Sequence, residues 1–235
     1  MAAVLSTAVA NFAINRLPRR AYVLASVGAA GILTWFARRS GAGWADMGMD
    51  RHRLDQGVRW GLAAAIPIGA AVALGLAVPA TRRFFVDERA AGADPRGLLY
   101  NILVRIPVGT ALAEEIMFRG ALLAIFERRR SRPAADAASG VLFGLSHILP
   151  TIERLNGTHS DTVGEHRHAR ASAVIGVVLA TMAAGYGFAW LRDRSGSLAA
   201  PVVAHAALNG LAFLGAWAIA RKGPPRVLAA TEILQ

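Results

Sequence analysis

The chain has 235 residues, 54% of them hydrophobic and only 17% charged, and it contains no cysteine. Disulfides, a thiol nucleophile and a thiolate metal site are therefore excluded. Its formal net charge of +11 does not indicate nucleic acid, because the arginines flank apolar blocks in short clusters and form no basic face interleaved with aromatics. Long apolar blocks edged by arginine read as an all-α, polytopic membrane bundle of about 6–8 transmembrane helices, with the basic residues at anionic lipid headgroups.

Residues 1–15 are mildly apolar and suit a short interfacial helix. No basic residue precedes this block, so no removable signal peptide is expected. Ala21 to Ala37 is the first convincing crossing, with Arg19, Arg20, Arg38 and Arg39 at its ends and Trp35 as an interfacial anchor. A polar, Gly-containing connection over 40–59 leads to a second crossing from about Trp60 to Ala80, with Pro67 as an expected kink. Thr81 to Arg96 reads as a charged loop. From Leu98 the chain is apolar to Phe126, and a helix break is expected near Pro107 to Thr110, giving either two shorter helices or one kinked, tilted one.

After the basic turn ERRRSRP comes an apolar helix to about Leu149, then a polar segment over 150–170 that reads as a solvated loop containing His159, His166 and His168. Ser172 to Leu191 crosses again and is rich in small residues that allow close helix packing. Pro201 opens the last crossing, which ends near Ala220. With no linker and no internal repeat, 1–235 forms one integral-membrane domain.

Charge within these apolar blocks is concentrated in TALAEEIMFRGALLA, residues 110–124. An ionisable residue at membrane depth costs on the order of 3 kcal/mol and points to a functional site with a nearby partner. Glu115 and Arg119 are four apart with the acid first, the favourable order for a pair on one helix face. Glu114 faces another direction, about 100° around the helix, and is the candidate reactive carboxylate. His147 lies four residues after Phe143, whose ring can restrict the imidazole, and His205 lies four residues before Asn209 on one helix face.

Counting from the basic turn puts Glu114 and His147 at one level, roughly 21 Å deep. His205 is only about 6 Å from Pro201 on the same count, which is a mismatch. Arg105 is assigned no role.

The three motifs E-E-x-x-x-R (114–119), F-x-x-x-H (143–147) and H-x-x-x-N (205–209), in this order, resemble the CPBP family of intramembrane proteases. These are the CAAX prenyl endoproteases and bacteriocin-processing enzymes, also called the Abi family. GSLAAPVVAHAALNG is similar to the family's last motif region, and the resemblance spans about Leu98 to Leu214, the catalytic core. It implies an endopeptidase acting on a membrane-associated, prenylated or embedded peptide. Glu114 and His147 would activate water, His205 and Asn209 would form the oxyanion hole, and Glu115, Arg119 and Phe143 would support the site. The side chains can do this chemistry.

The family is often labelled metalloprotease. No cofactor is favoured, since there is no H-E-x-x-H helix; zinc, if present, would be held by Glu114, His147 and His205. The expected partners are a peptide or protein substrate and the lipid bilayer, without nucleic acid. The richness in Ala, Arg and Gly suggests a bacterial source, and so the cytoplasmic membrane. The competing reading is a non-enzymatic membrane scaffold or transport accessory whose polar residues join helices. A transporter would show a repeat of half-helices, which is absent.

Overall fold

The computed structural model describes residues 21–157 and 165–221, and everything regular in them is helical. Helix α1 is Tyr22–Arg39, closed by Arg38 and Arg39 in its last turn. A tight turn follows, in which Met47 is fully buried and Gly48 adopts φ +70. That conformation suits glycine, and it lets the Gly48 carbonyl accept a 2.7 Å hydrogen bond from the Leu198 N–H. Helix α2 is Leu54–Ala77 and continues through Pro67. Where a charged loop was expected, the chain forms a 3₁₀ turn at Pro79–Phe85 and the short helix α3 at Glu88–Ala91, capped by the Asp87 side chain.

Helix α4 runs without interruption over 95–127, so of the two outcomes expected near Pro107 the separation into two shorter helices is absent. Asp94 caps its start through the Gly97 N–H. The stretches Asn101–Leu112 and Ile116–Leu122 are wound wide, with i→i+5 hydrogen bonds. This winding accommodates Pro107, whose ring would meet the Leu103 carbonyl in a regular α-helix. Such windings are rare and favour functional sites.

The basic turn leads into α5, Arg132–Ser146, with proline in its first turn. Helix α6 is Ile148–Gly157 and α7 is Glu165–Ser195, so the segment expected as a loop over 150–170 is helical at both ends. His168 lies exposed on α7, and His159 falls outside the described residues, as does the expected interfacial helix over 1–15. Helix α8 is Ala199–Arg221.

Three described helical stretches are long and apolar enough to cross a bilayer: Arg51–Ala77, Arg170–Ser195 and Ala199–Arg221. Their outer faces carry Leu62, Ile66, Leu74, Ile175 and Leu179, all exposed as a lipid-facing surface requires. Inside, Leu33 of α1, Met47, and Met117, Phe118 and Leu122 of α4 form one cluster with Phe143 of α5. The buried Ser139 hydroxyl ties α5 to α4 by donating to the Phe118 carbonyl at 2.9 Å.

Close approach depends on glycines in α2 and α5 as well as in α7. A methyl group at Gly61 would lie 2.6 Å from Val203 Cβ and 2.8 Å from the Ala200 carbonyl oxygen of α8. At Gly144 it would lie 2.8 Å from the Val178 carbonyl oxygen and against Met182 of α7. Of the small residues expected to pack in α7, Gly185 meets α5 tightly, whereas Gly176 and Gly187 have open space around them. Gly144→Ala should therefore lower stability by about 1–3 kcal/mol, the range for overpacking a tight contact. Gly176→Ala, in open space within α7, should not lower it and should raise it by up to about 1 kcal/mol through helix propensity. Thermal unfolding of the two variants in detergent checks the contrast.

Candidate active site

A fully buried ion pair anchors the site. Glu115 and Arg119 of α4 have no side-chain exposure, and Arg119 Nη1 donates to Glu115 Oε1 at 3.1 Å. The same oxygen accepts from His205 Nδ1 of α8 at 2.8 Å. Aromatic rings complete the enclosure: the guanidinium carbon lies 4.1 Å from the Phe143 ring centroid and 5.4 Å from that of Phe188. A cation over a ring face is attracted by the ring quadrupole. The His205 imidazole stacks on Phe188 with centroids 5.0 Å apart and meets Phe143 edge-on at 5.9 Å. Four helices therefore meet at one charge cluster.

Glu114 stands on the other side of this cluster. It has no partner on its own helix, but His205 Nε2 approaches its Oε2 to 3.9 Å, outside hydrogen-bond range. Oε2 is buried and unpartnered, while the side chain as a whole is 22% exposed. The exposed part belongs to the wall of a cavity of about 390 Å³ shared with His147 and Asn209.

His147 caps α5, and its Nδ1 lies 2.8 Å from the Phe143 carbonyl oxygen. A carbonyl can only accept, so Nδ1 carries a proton, and in the neutral tautomer that this selects, the lone pair lies on Nε2. The Phe143 ring packs edge-on against the imidazole, centroids 4.7 Å apart.

The structure thus brings Glu114, His147 and Asn209 to one cavity and sets His205, Glu115, Arg119 and Phe143 behind it. His205 is 3% exposed and does not line the cavity. Its contact with both acids settles the level mismatch from residue counting.

The winding also decides which α4 side chains share the cavity. Arg105, Thr110, Glu114 and Phe118 all line it, at intervals of five, four and four residues. On a regular α-helix, positions nine apart lie about two and a half turns apart, on opposite faces. With a turn of between about four and five residues they align. Sequence reasoning on α-helical spacing therefore missed Arg105 and Thr110, together with Tyr22 of α1, whose hydroxyl lies 3.1 Å from Thr110 Oγ1. It also missed Phe188, three residues after Gly185 on a helix read only for its small residues.

The cavity extends to the segment before α4. Arg89 lines it and is held by Asp87 through two hydrogen bonds, 3.1 and 2.6 Å long. Burial opposes ionisation of Asp87, but the Arg89 hydrogen bond and charge prevail and hold its carboxyl below the ordinary value. Asp87 therefore remains a carboxylate and occupies Arg89.

Glu114, His147 and His205 do not fit a zinc ion as they stand. Their ligand atoms do not converge, and both nitrogens of His205 face carboxylates. Among the described residues, the only three acidic or imidazole groups within 4.8 Å of one another are Glu127, Asp136 and Asp193. Those lie by the basic turn, where Arg192 bonds Glu127 at 3.1 Å and Asp193 at 3.0 Å, and Arg132 also holds Asp193.

Removing one member of the buried pair leaves an uncompensated charge. Arg119→Ala should destabilise the protein by about 3–5 kcal/mol. The double variant Glu115→Gln with Arg119→Met should lose clearly less, because it leaves neither charge behind. Denaturation in detergent of the single and double variants measures the difference.

Comparison with known proteins gives this geometry a family. The model of the type II CAAX prenyl endopeptidase Rce1-like family matches residues 96–211, a span that includes Glu114, His147, His205 and Asn209. Neither a curated protein nor a solved structure matches the chain significantly. With its apolar spanning helices, the chain is an integral membrane protein, and it belongs to the CPBP, or CAAX protease, family of membrane peptidases.

Proposed function

We propose that this protein is a glutamate-dependent intramembrane endopeptidase that hydrolyses a peptide bond of a membrane-associated, prenylated or embedded substrate, in a bacterial cytoplasmic membrane. One observation carries the reading: Glu114, His147 and Asn209, from three different helices, line a single cavity of about 390 Å³. A cavity of this size suits a few residues of peptide and a water.

The chemistry follows from the side chains. Glu114 and the unprotonated Nε2 of His147 hold a water between them. As its oxygen bonds to the scissile carbonyl carbon, its proton passes to Glu114. The Asn209 carboxamide donates to the oxyanion that develops on the carbonyl oxygen. When the carbon–nitrogen bond breaks, the proton held by Glu114 goes to the departing amine, leaving a new carboxylate and a new amino terminus.

His205 does not line the cavity, so it acts here as a positioning residue. Fixed by Glu115 and Phe188, it sets the Glu114 carboxylate from behind. Because the ligand atoms do not converge on an ion, no step passes through a metal.

Glu114→Gln should lower kcat on a fluorogenic prenylated peptide by about 10²–10⁴-fold, the usual contribution of a general base, without changing helical content or unfolding temperature. A scaffold of the same fold would show no turnover in the parent protein, and the same substitution would weaken its stability or assembly. Asn209→Ala should lower kcat by about 10²–10³-fold with little change in KM, the signature of a donor used in the transition state.

A further inference from the structure

Arg105 is a cation on the wall of the cavity that also holds Glu114, His147 and Asn209. It shares the cavity stripe of α4 with Glu114. Its partner is a ring: the guanidinium carbon lies 4.4 Å from the Tyr22 centroid. Among the described residues no carboxylate forms an ion pair with it, and Asp87, whose charge acts on it, already has both oxygens on Arg89. Arg105 is half-buried at the cavity wall, where its planar fork is free to match a carboxylate. Glu114 is the acid at the other end of the stripe, so charge runs along the cavity from positive at Arg105 to negative at Glu114.

The spacing supplies a length. Arg105 and Glu114 are nine residues apart on one continuous helix, at most about 13 Å along its axis at 1.5 Å per residue, and less where the winding is wide. An extended peptide covers about 3.3–3.6 Å per residue. A carboxylate on Arg105 would then hold the bond about three or four residues upstream at Glu114 and His147. The opposite orientation would bring the carboxylate onto Glu114, against like charge.

We propose that Arg105, stacked on Tyr22, binds the free C-terminal carboxylate of the substrate and so sets both the direction of the chain in the cavity and the distance of the cut from its end. This rests on the peptidase reading. It assigns Arg105 a specificity role, separate from the groups that break the bond.

The test compares two fluorogenic prenylated peptides, identical except that one ends in a carboxylate and the other in an amide, on the full-length protein in zwitterionic vesicles. Wild type should cut the acid at least about 10-fold better in kcat/KM, mainly through KM, since a charge-assisted hydrogen bond is worth about 1.5–3 kcal/mol. Arg105→Gln should cut both at the lower rate, and Arg105→Lys should keep part of the preference. Equal acid-to-amide ratios in wild type and Arg105→Gln would overturn the proposal.

A second readout needs no turnover: binding of the three-residue C-terminal peptide, as acid and as amide, to Glu114→Gln and to Glu114→Gln with Arg105→Gln. Tighter binding of the acid that is lost with Arg105 supports the anion site even if no cleavage occurs, a result that would count only against the peptidase reading. If that preference disappears when anionic lipid is added to the vesicles, Arg105 serves lipid phosphate and the C-terminal assignment fails.

Discussion

The structure depends on one buried cluster, Glu115 with Arg119 and His205, because among the described residues no other ion pair has both side chains fully enclosed. Two full charges at zero exposure are tolerable only when their partners are fixed in place. The fixing is distributed: α4 supplies the pair, α8 the imidazole, α5 Phe143 and α7 Phe188. Helix packing in lipid lacks the hydrophobic drive that works in water, so such polar contacts and close backbone approach decide which helices meet. Gly185 shows the coupling directly, since a methyl group there would lie 2.8 Å from Arg119 Nη2 and 3.1 Å from Gly140 Cα.

The reactive layer is built upon that support. Glu114 is the residue immediately before Glu115, so fixing one acid against Arg119 and His205 aims the other into the cavity. His147 is set by its own helix end, where the Phe143 carbonyl selects the ring tautomer. Buried atoms of Glu114, Glu115 and Arg119 remain without partners, an incomplete satisfaction that is common where groups are kept for chemistry and rare in a purely structural interior.

The wide winding of α4 gives the helix its functional face. It carries the chain past Pro107 without a break and brings Arg105, Thr110, Glu114 and Phe118 onto one wall. The cavity therefore has Glu114 at the charge cluster and Arg105 towards the segment before α4, the polarity on which the proposed direction of the substrate rests.

Much of this was legible in the sequence. The helical class and the three spanning stretches follow from period and apolar blocks, and the grouping of Glu114, Glu115, Arg119, Phe143, His147, His205 and Asn209 follows from motifs whose order resembles the family's. These are local properties, fixed by the cost of a charge in lipid and by four-residue spacing on a helix face. What only the tertiary structure decided is how those residues divide between the cavity wall and its support. The distinction between Asn209 at the cavity and His205 behind it depends on where α8 crosses α4, and their shared motif cannot express it. The role of Arg105 depends on a winding that differs from the α-helical period assumed in reading the sequence, and the helices at both ends of the 150–170 stretch owe nothing to an apolar run. Such features arise from contacts between distant segments and from backbone hydrogen-bond register, neither of which is written in the spacing of residues along one helix.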